Sequence, residues 1–154
     1  MNTNFLPPKE FKKVFSEVPR LCVDLIIQSR GGVILTLRSL PQWQGEWHLP
    51  GSTVRYKETI NQAAKRTAHD ELGIPIDVLK PLGYIEYPSE ERERGFGWAV
   101  SLPLLCSTTA ERFKVGKDSS EVRVFTSLPD PMIPEQKEFL FAHWAEITRN
   151  HRLP

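Results

Sequence analysis

The sequence predicts an α/β fold of the α+β kind, a mixed β-sheet sandwiched between α-helices, with residues 1–154 forming one domain. Three observations predict it. Short runs rich in branched side chains recur along the chain, as strands of a packed sheet require. A central stretch, residues 59–72, carries apolar side chains at helical spacing with a start and a stop signal. A second helical stretch follows Pro134 near the end of the sequence.

Pro7 and Pro8 precede residues 9–18, where Phe11, Val14, Phe15 and Val18 recur at helical spacing. This predicts a short amphipathic helix stopped by Pro19, so residues 1–19 form an N-terminal helical extension. Residues 21–28 and 33–38 read as strands, and Ser29-Arg30-Gly31-Gly32 as the turn of a hairpin between them. Residues 39–46 read as a loop, and residues 47–49 as a short strand leading into Pro50-Gly51. In the central helix, Thr59 and Gln62 match a capping box, in which hydroxyl and amide satisfy free backbone N–H groups. Ile60, Ala63, Ala64, Ala68 and Leu72 form its apolar stripe, and Gly73 ends it. Strands are expected over residues 76–87 and 98–106, with the charged segment 89–95 as a loop between them. Residues 121–127 alternate as a strand. The last helix runs to about Arg149, with Phe139, Leu140, His143, Trp144 and Ile147 on its inner stripe.

Composition excludes several classes. About 40% of residues are apolar and 25% charged, an ordinary globular balance, and the net charge of +1 gives no field for nucleic acid or an acidic membrane. The apolar run at residues 21–27 is too short to span a bilayer and is broken by Asp24. The N-terminus lacks the layout of a signal peptide, so a cytoplasmic protein is expected. Cys22 and Cys106 sit in strand-like runs and read as reduced buried thiols; without neighbouring histidines they make no zinc site.

The chemistry concentrates in "PGSTVRYKETINQAAKRTAHDELGI", residues 50–74. Positions three and four apart on a helix share a face, so Thr67, Asp70 and Glu71 cluster and Arg66 can pair with Asp70. Carboxylates beside arginines are commonly solvated ion pairs. They also suit a hard divalent ion such as Mg²⁺, which takes oxygen ligands and keeps waters and substrate phosphates in its shell. Glu71, Asp70 and the backbone carbonyl of Gly51 are the candidate metal ligands.

The register Gly51, Glu58, Arg66, Asp70, Glu71, Gly73 and Ile74 resembles the Nudix box of hydrolases acting on nucleoside diphosphates linked to another moiety. Three positions depart from the family pattern. Ser52 stands for its first glycine, Thr67 for a metal-binding glutamate, and Asp70 for the first glutamate of the final pair. The pieces "LPPKEFKKVFSEVPRLCVDLII", "RGGVILTLRS", "QGEWHLPG" and "RTAHDELGI" are similar to the GDP-mannose mannosyl hydrolase branch. That resemblance implies a single Mg²⁺ (or Mn²⁺) held by Glu71, Gly51 and substrate phosphates, with displacement at the sugar's anomeric carbon. It implies sugar contact for Asp24 and phosphate contact for Arg38 and Arg66. It also implies a homodimer and a small-molecule nucleotide substrate. The branch has an arginine where this chain has Thr53, and Arg55 is the nearest substitute. The branch's histidine base has no counterpart in residues 86–99; Glu90, Glu91 and Glu93 are the carboxylates there, and Glu91 is taken as the candidate base.

Other residues admit two readings each. Asp24, in an apolar strand, is either paired or lines a cavity. Arg38 either forks onto phosphates or is an exposed strand end. Trp43, Trp47, Phe96 and Trp98 stack on a ligand or pack, Trp47 being read as core. His69 is read as exposed. The reaction class also stays open between displacement at the sugar, attack at phosphorus using Glu58, Asp70 and Glu71, and nucleotide binding with little or no hydrolysis.

Overall fold

A computed structural model describes residues 5–149. The chain runs α1 (Pro8–Phe15), β1 (Arg20–Ser29), β2 (Gly32–Arg38), β3 (Trp47–His48), β4 (Gly51–Thr53), α2 (Ile60–Leu72), β5 (Asp77–Pro81), β6 (Ile85–Glu86), α3 (Ser89–Arg94), β7 (Ala99–Ser107), β8 (Ser119–Phe125) and α4 (Pro134–Arg149). All eight strands form one mixed sheet. Its spine is β3-β2-β1-β7-β5, with β4 on β1, β6 on β7 and β8 on β2. The β1–β7 pair is parallel, from Arg20↔Ala99 to Gln28↔Ser107, and the other pairs are antiparallel.

The two faces of β1 belong to different cores, because successive side chains alternate across a sheet. Val23, Leu25 and Ile27 pack with Ala63, Ala64, Ala68 and Leu72 of α2. Ile26 packs on the other side with Leu140 and Ile147 of α4. Asp24 shares the parity of Ile26, so its carboxylate lies on the α4 side of the sheet. Alanines on α2 let that helix sit close to the strands, and the buried Leu72 closes its last turn.

The structure departs from the sequence expectation in two places that matter. The strand expected over 76–87 is two strands, parted at Gly83, whose φ of 123° is a conformation open to glycine. The segment expected to be a loop, residues 89–95, is the helix α3, ended by Gly95 in the left-handed region. The first helix stops at Phe15, earlier than Pro19 alone implies, and none of its residues is buried.

Candidate active site

The central helix forms as its sequence dictates. Thr59 and Gln62 make the reciprocal capping bonds, and Gly73 with φ 67° accepts the left-handed stop. Arg66 does not hold Asp70 first. Its guanidinium grips Glu58 at both carboxylate oxygens, 2.7 and 2.9 Å, and donates to the Thr53 carbonyl at 3.0 Å; Asp70 stands 3.9 Å away. Glu58 in turn accepts the Arg55 backbone N–H at 3.1 Å. Arg66 thus ties the loop before α2 to both α2 and β4, and this bond holds the Glu58 carboxyl below its ordinary range. Asp70 is half exposed and meets solvent and the His69 ring.

Thr67 is buried and its hydroxyl is committed. It donates to the Ala63 carbonyl at 2.7 Å and lies 2.5 Å from Ser52 Oγ. Two of the three departures from the box pattern, Ser52 and Thr67, are therefore in contact. Glu71 is different. Its Oε2 is shielded from water and has no hydrogen-bond partner among the described residues. Burial, and then the nearby Asp118, push its carboxyl up to about 8, against the pull of Arg38. Asp118 arrives on a segment anchored at both ends: Lys114 N–H donates to the Leu72 carbonyl at 2.8 Å, and Ser39 N–H to the Asp118 carbonyl at 3.0 Å.

These groups line a cleft of about 850 Å³, which also takes in Arg38, Arg55, Lys114 and Lys117. Behind it, through a neck walled by Arg20, Arg38 and Arg94, lies a smaller pocket of about 110 Å³. The pocket holds Asp24, which accepts from the Tyr87 hydroxyl at 2.5 Å; Tyr87 accepts from Gln136 Nε2 at 3.0 Å, and Gln136 Oε1 accepts from the Leu49 N–H at 2.7 Å. Burial raises the Asp24 carboxyl to about 6, against the opposing hydrogen bond from Tyr87. His48 is buried with both ring nitrogens engaged, by the Leu49 carbonyl at 2.8 Å and Thr36 Oγ1 at 3.0 Å, and burial lowers it to about 4. It is a neutral prop for the Pro50-Gly51 turn. Gly51 must be glycine because a Cβ there would strike Asp24 Oδ1 and stand 2.8 Å from the Val23 carbonyl oxygen.

Of the loop carboxylates, Glu91 is exposed and lines neither cavity. Glu90 is the inward one, fully buried, with Arg20 Nη2 at 2.7 Å and Arg94 Nε at 3.4 Å. Arg38 lies partly buried at the neck and Arg55 lines the outer cleft with its guanidinium over Phe5. Trp47 is core, as read; Trp43 is buried at the neck, and Trp98 is exposed. The sequence reading missed Arg20, Tyr87, Arg94, Asp118 and Gln136, and named Glu90 only as one of three loop carboxylates, choosing Glu91 among them. Glu90 and Arg94 carried one usable signal, an i,i+4 pair of opposite charge.

The NUDIX domain profile matches residues 18–147, most of the chain and the whole of the sheet. The chain belongs to the NUDIX domain family. It is 38% identical over 85 residues to a low-salt glycan biosynthesis protein of Haloferax volcanii, covering 55% of this chain and 54% of that protein. It is 27% identical over 107 residues to an ADP-ribose pyrophosphatase of Methanocaldococcus jannaschii, covering 70% and 62% respectively. These matches thus span just over half to just under two thirds of the curated relatives' lengths. A NUDIX hydrolase structure from Nitrosomonas europaea superposes with a TM-score of 0.72 at 22% identity, over 88% of this chain and 74% of that one, which shows the shared fold.

The NUDIX fold implies a divalent cation, and the residues present fit one held by few protein oxygens. Glu71 lines the cleft with Gly51 and has a carboxyl oxygen with no hydrogen-bond partner among the described residues, which would bind a cation on losing its proton. Among the described residues no three histidine, cysteine, aspartate or glutamate side chains cluster to hold a metal. Thr67 and Ser52 bond to each other instead. A hard cation here would complete its shell with phosphate oxygens and water. No helix among the described residues is long and apolar enough to cross a membrane.

Proposed function

We propose that this NUDIX domain hydrolyses a nucleoside diphosphate sugar of the GDP-mannose kind with Mg²⁺, releasing nucleoside diphosphate and free sugar. One observation carries the reading. A wide cationic cleft with the orphaned Glu71 oxygen on its wall adjoins, across the arginines that line both, a small pocket holding the hydrogen-bonded Asp24. The cleft suits a diphosphate, and the pocket, with Asp24, suits the hydroxyls of one sugar ring. The glycan biosynthesis relative adds to that choice.

Glu71 and the Gly51 carbonyl are the cation's protein ligands in this reading. The bound cation neutralises the diphosphate and makes it a better leaving group. Arg38 and Arg55 hold phosphate oxygens, and Asp24 accepts a sugar hydroxyl. Arg66 acts by positioning, through Glu58 and Thr53. Asp70, exposed at the rim, makes no direct bond to the cation. Water adds to the anomeric carbon as the bond from that carbon to the phosphate oxygen breaks. Of the carboxylates on the cleft wall, Asp118 faces Glu71 and Arg38 from an exposed loop, and it is the group assigned to take the water's proton. Glu91 has no part in this, because its side chain meets solvent.

The test is product identification after incubation with Mg²⁺ and a panel of nucleotide sugars. Free sugar with nucleoside diphosphate supports the reading. Sugar phosphate with nucleoside monophosphate places attack at phosphorus and overturns it. A second reading, nucleotide binding without turnover, is favoured by the Ser52–Thr67 hydroxyl pair in place of a second carboxylate; tight binding with no product supports that one.

A further inference from the structure

The neck between the two cavities is more strongly cationic than the proposed reaction has so far used. Arg20, Arg38 and Arg94 all line both cavities, and Glu90 is the carboxylate paired to two of them. Trp43 contacts both Arg38 and Arg94, its ring centre 5.4 Å from one guanidinium carbon and 6.0 Å from the other. Its indole N–H donates to Ser89 Oγ at 3.1 Å and its backbone N–H to Glu93 Oε2 at 3.1 Å, so both ends of the residue are pinned to α3. Ser89 is fastened to Glu135 of α4, through its N–H at 3.1 Å and its hydroxyl at 2.6 Å. The short helix is therefore a rigid platform.

That platform holds an aromatic ring against two guanidinium groups whose terminal nitrogens make no hydrogen bond among the described residues. Arg38 uses Nε on the Gln42 carbonyl, 2.7 Å, and its terminal nitrogens donate to nothing among the described residues. Arg94 Nε is shielded from water, makes no hydrogen bond among the described residues and is ion-paired with Glu90 at 3.4 Å. Burial lowers the affinity of both side chains for their protons, and neighbouring Arg20 lowers it further. Stacking on an aromatic face holds a guanidinium flat, and its fork then matches the paired oxygens of a phosphate. Three desolvated cations with one shared carboxylate repel each other, and an entering anion offsets that repulsion.

We infer that Arg94 and Arg38, which share contact with the Trp43 ring, clamp one phosphoryl group of the substrate's diphosphate, the one next to the inner pocket. Glu90 is a positioning residue, holding Arg20 at 2.7 Å and Arg94 at 3.4 Å. The inference rests on the proposed nucleoside diphosphate substrate but does not require that it be hydrolysed.

Calorimetric titration with inorganic pyrophosphate, and with GDP and ADP, tests it in the wild type, Arg94→Ala, Arg94→Lys and Glu90→Gln. Arg94→Ala is expected to weaken pyrophosphate at least tenfold and to flatten the salt dependence of binding. Arg94→Lys should recover only part of the loss, because a point charge lacks the fork. Glu90→Gln should weaken diphosphate binding, and raise KM with little change in kcat if turnover is seen. A folded Arg94→Ala that binds pyrophosphate and both nucleotides within twofold of wild type overturns the clamp. If that variant does not fold, Arg94→Lys at wild-type affinity overturns it equally. A wild-type chain that binds no diphosphate also overturns it. A chain that binds through Arg94 yet hydrolyses no nucleotide sugar keeps the clamp and removes the hydrolase reading.

Discussion

The inner pocket and the outer cleft are built on opposite plans. In the pocket, Asp24, Tyr87, Gln136 and the Leu49 N–H form an unbroken chain of hydrogen bonds, and His48 has both nitrogens engaged. Of the seven buried polar atoms without a partner among the described residues, two belong to Arg55 and Glu71 of the outer cleft and three to Arg20, Glu90 and Arg94, which wall the pocket where it meets the cleft. Buried polar atoms are nearly always satisfied, so such a concentration marks where a ligand is expected to complete the bonding. The difference teaches where preorganisation ends. The protein finishes the hydrogen-bond chain around Asp24 by itself, whereas it leaves the arginine wall and the cleft with charges that a cation and a diphosphate together would balance.

The largest test strikes the joint between the two regions. Gly51→Ala would drive a Cβ into the Asp24 carboxylate and toward the Val23 carbonyl oxygen. It should cost about 2–4 kcal/mol in chemical denaturation, an overpacking penalty at a site with no room to relax. An unchanged denaturation midpoint would mean that the turn and Asp24 are not packed as described.

Next comes Glu71→Gln, which keeps the shape of the cleft and removes its anionic ligand. Any hydrolysis should fall by at least about tenfold, the scale of one weakened metal contact. The same change should stabilise the metal-free protein at pH 8 and not at pH 5. The sign follows from the raised carboxyl: stability is complete below the ordinary range and is lost as pH rises through about 8, because the folded state holds the proton longer. Melting curves with and without Mg²⁺ read both halves. Equal stability of the two forms at pH 8 would place the Glu71 charge in solvent.

Asp24→Asn sharpens the other side. The Asp24 carboxyl rises from 3.8 to about 6 by burial, so its contribution is present in full below the unfolded value and fades as pH climbs to about 6. At about 1.4 kcal/mol per unit, the wild type should lose about 3 kcal/mol across that window relative to the asparagine variant. Parallel stability profiles for the two proteins would contradict a closed, dry pocket. Asparagine still accepts from Tyr87, so the comparison isolates the charge.

Legibility divides along a similar line. The helix α2 was readable because its determinants are local: Thr59 with Gln62 at one end, alanines along one face, Gly73 at the other. Spacing offered Asp70 and Glu71 together as candidate ligands, and the resemblance to the Nudix box singled out Glu71. What spacing does not carry is that Ser52 would meet Thr67 and close off the second carboxylate position, since that contact joins β4 to α2. The helix α3 was unreadable for the same reason. "SEERER" has no apolar stripe and five formal charges, three negative and two positive, a pattern that suits solvent. Its order comes from partners far along the chain, Arg20 for Glu90, Trp43 for Glu93 and Glu135 for Ser89. Tyr87 and Gln136 likewise reveal a role only once β1 and α4 bring them to Asp24.

The smallest expected effect is a null, and it discriminates between neighbours. Glu90 and Glu91 are adjacent, identical in chemistry and equally plausible from the sequence. The turn of α3 sends one into the neck, with no exposed surface, and the other into solvent. Glu91→Ala should therefore leave stability within about 0.5 kcal/mol and leave diphosphate affinity unchanged, as a surface substitution away from any site does. Glu90→Ala removes the partner of two buried guanidinium groups and should cost several times more, since unpaired buried charge is penalised heavily. Thermal denaturation and pyrophosphate titration of the pair read the contrast directly. If Glu91→Ala proves the more damaging, α3 is rotated from the orientation described, and the arginine neck loses the platform that holds it.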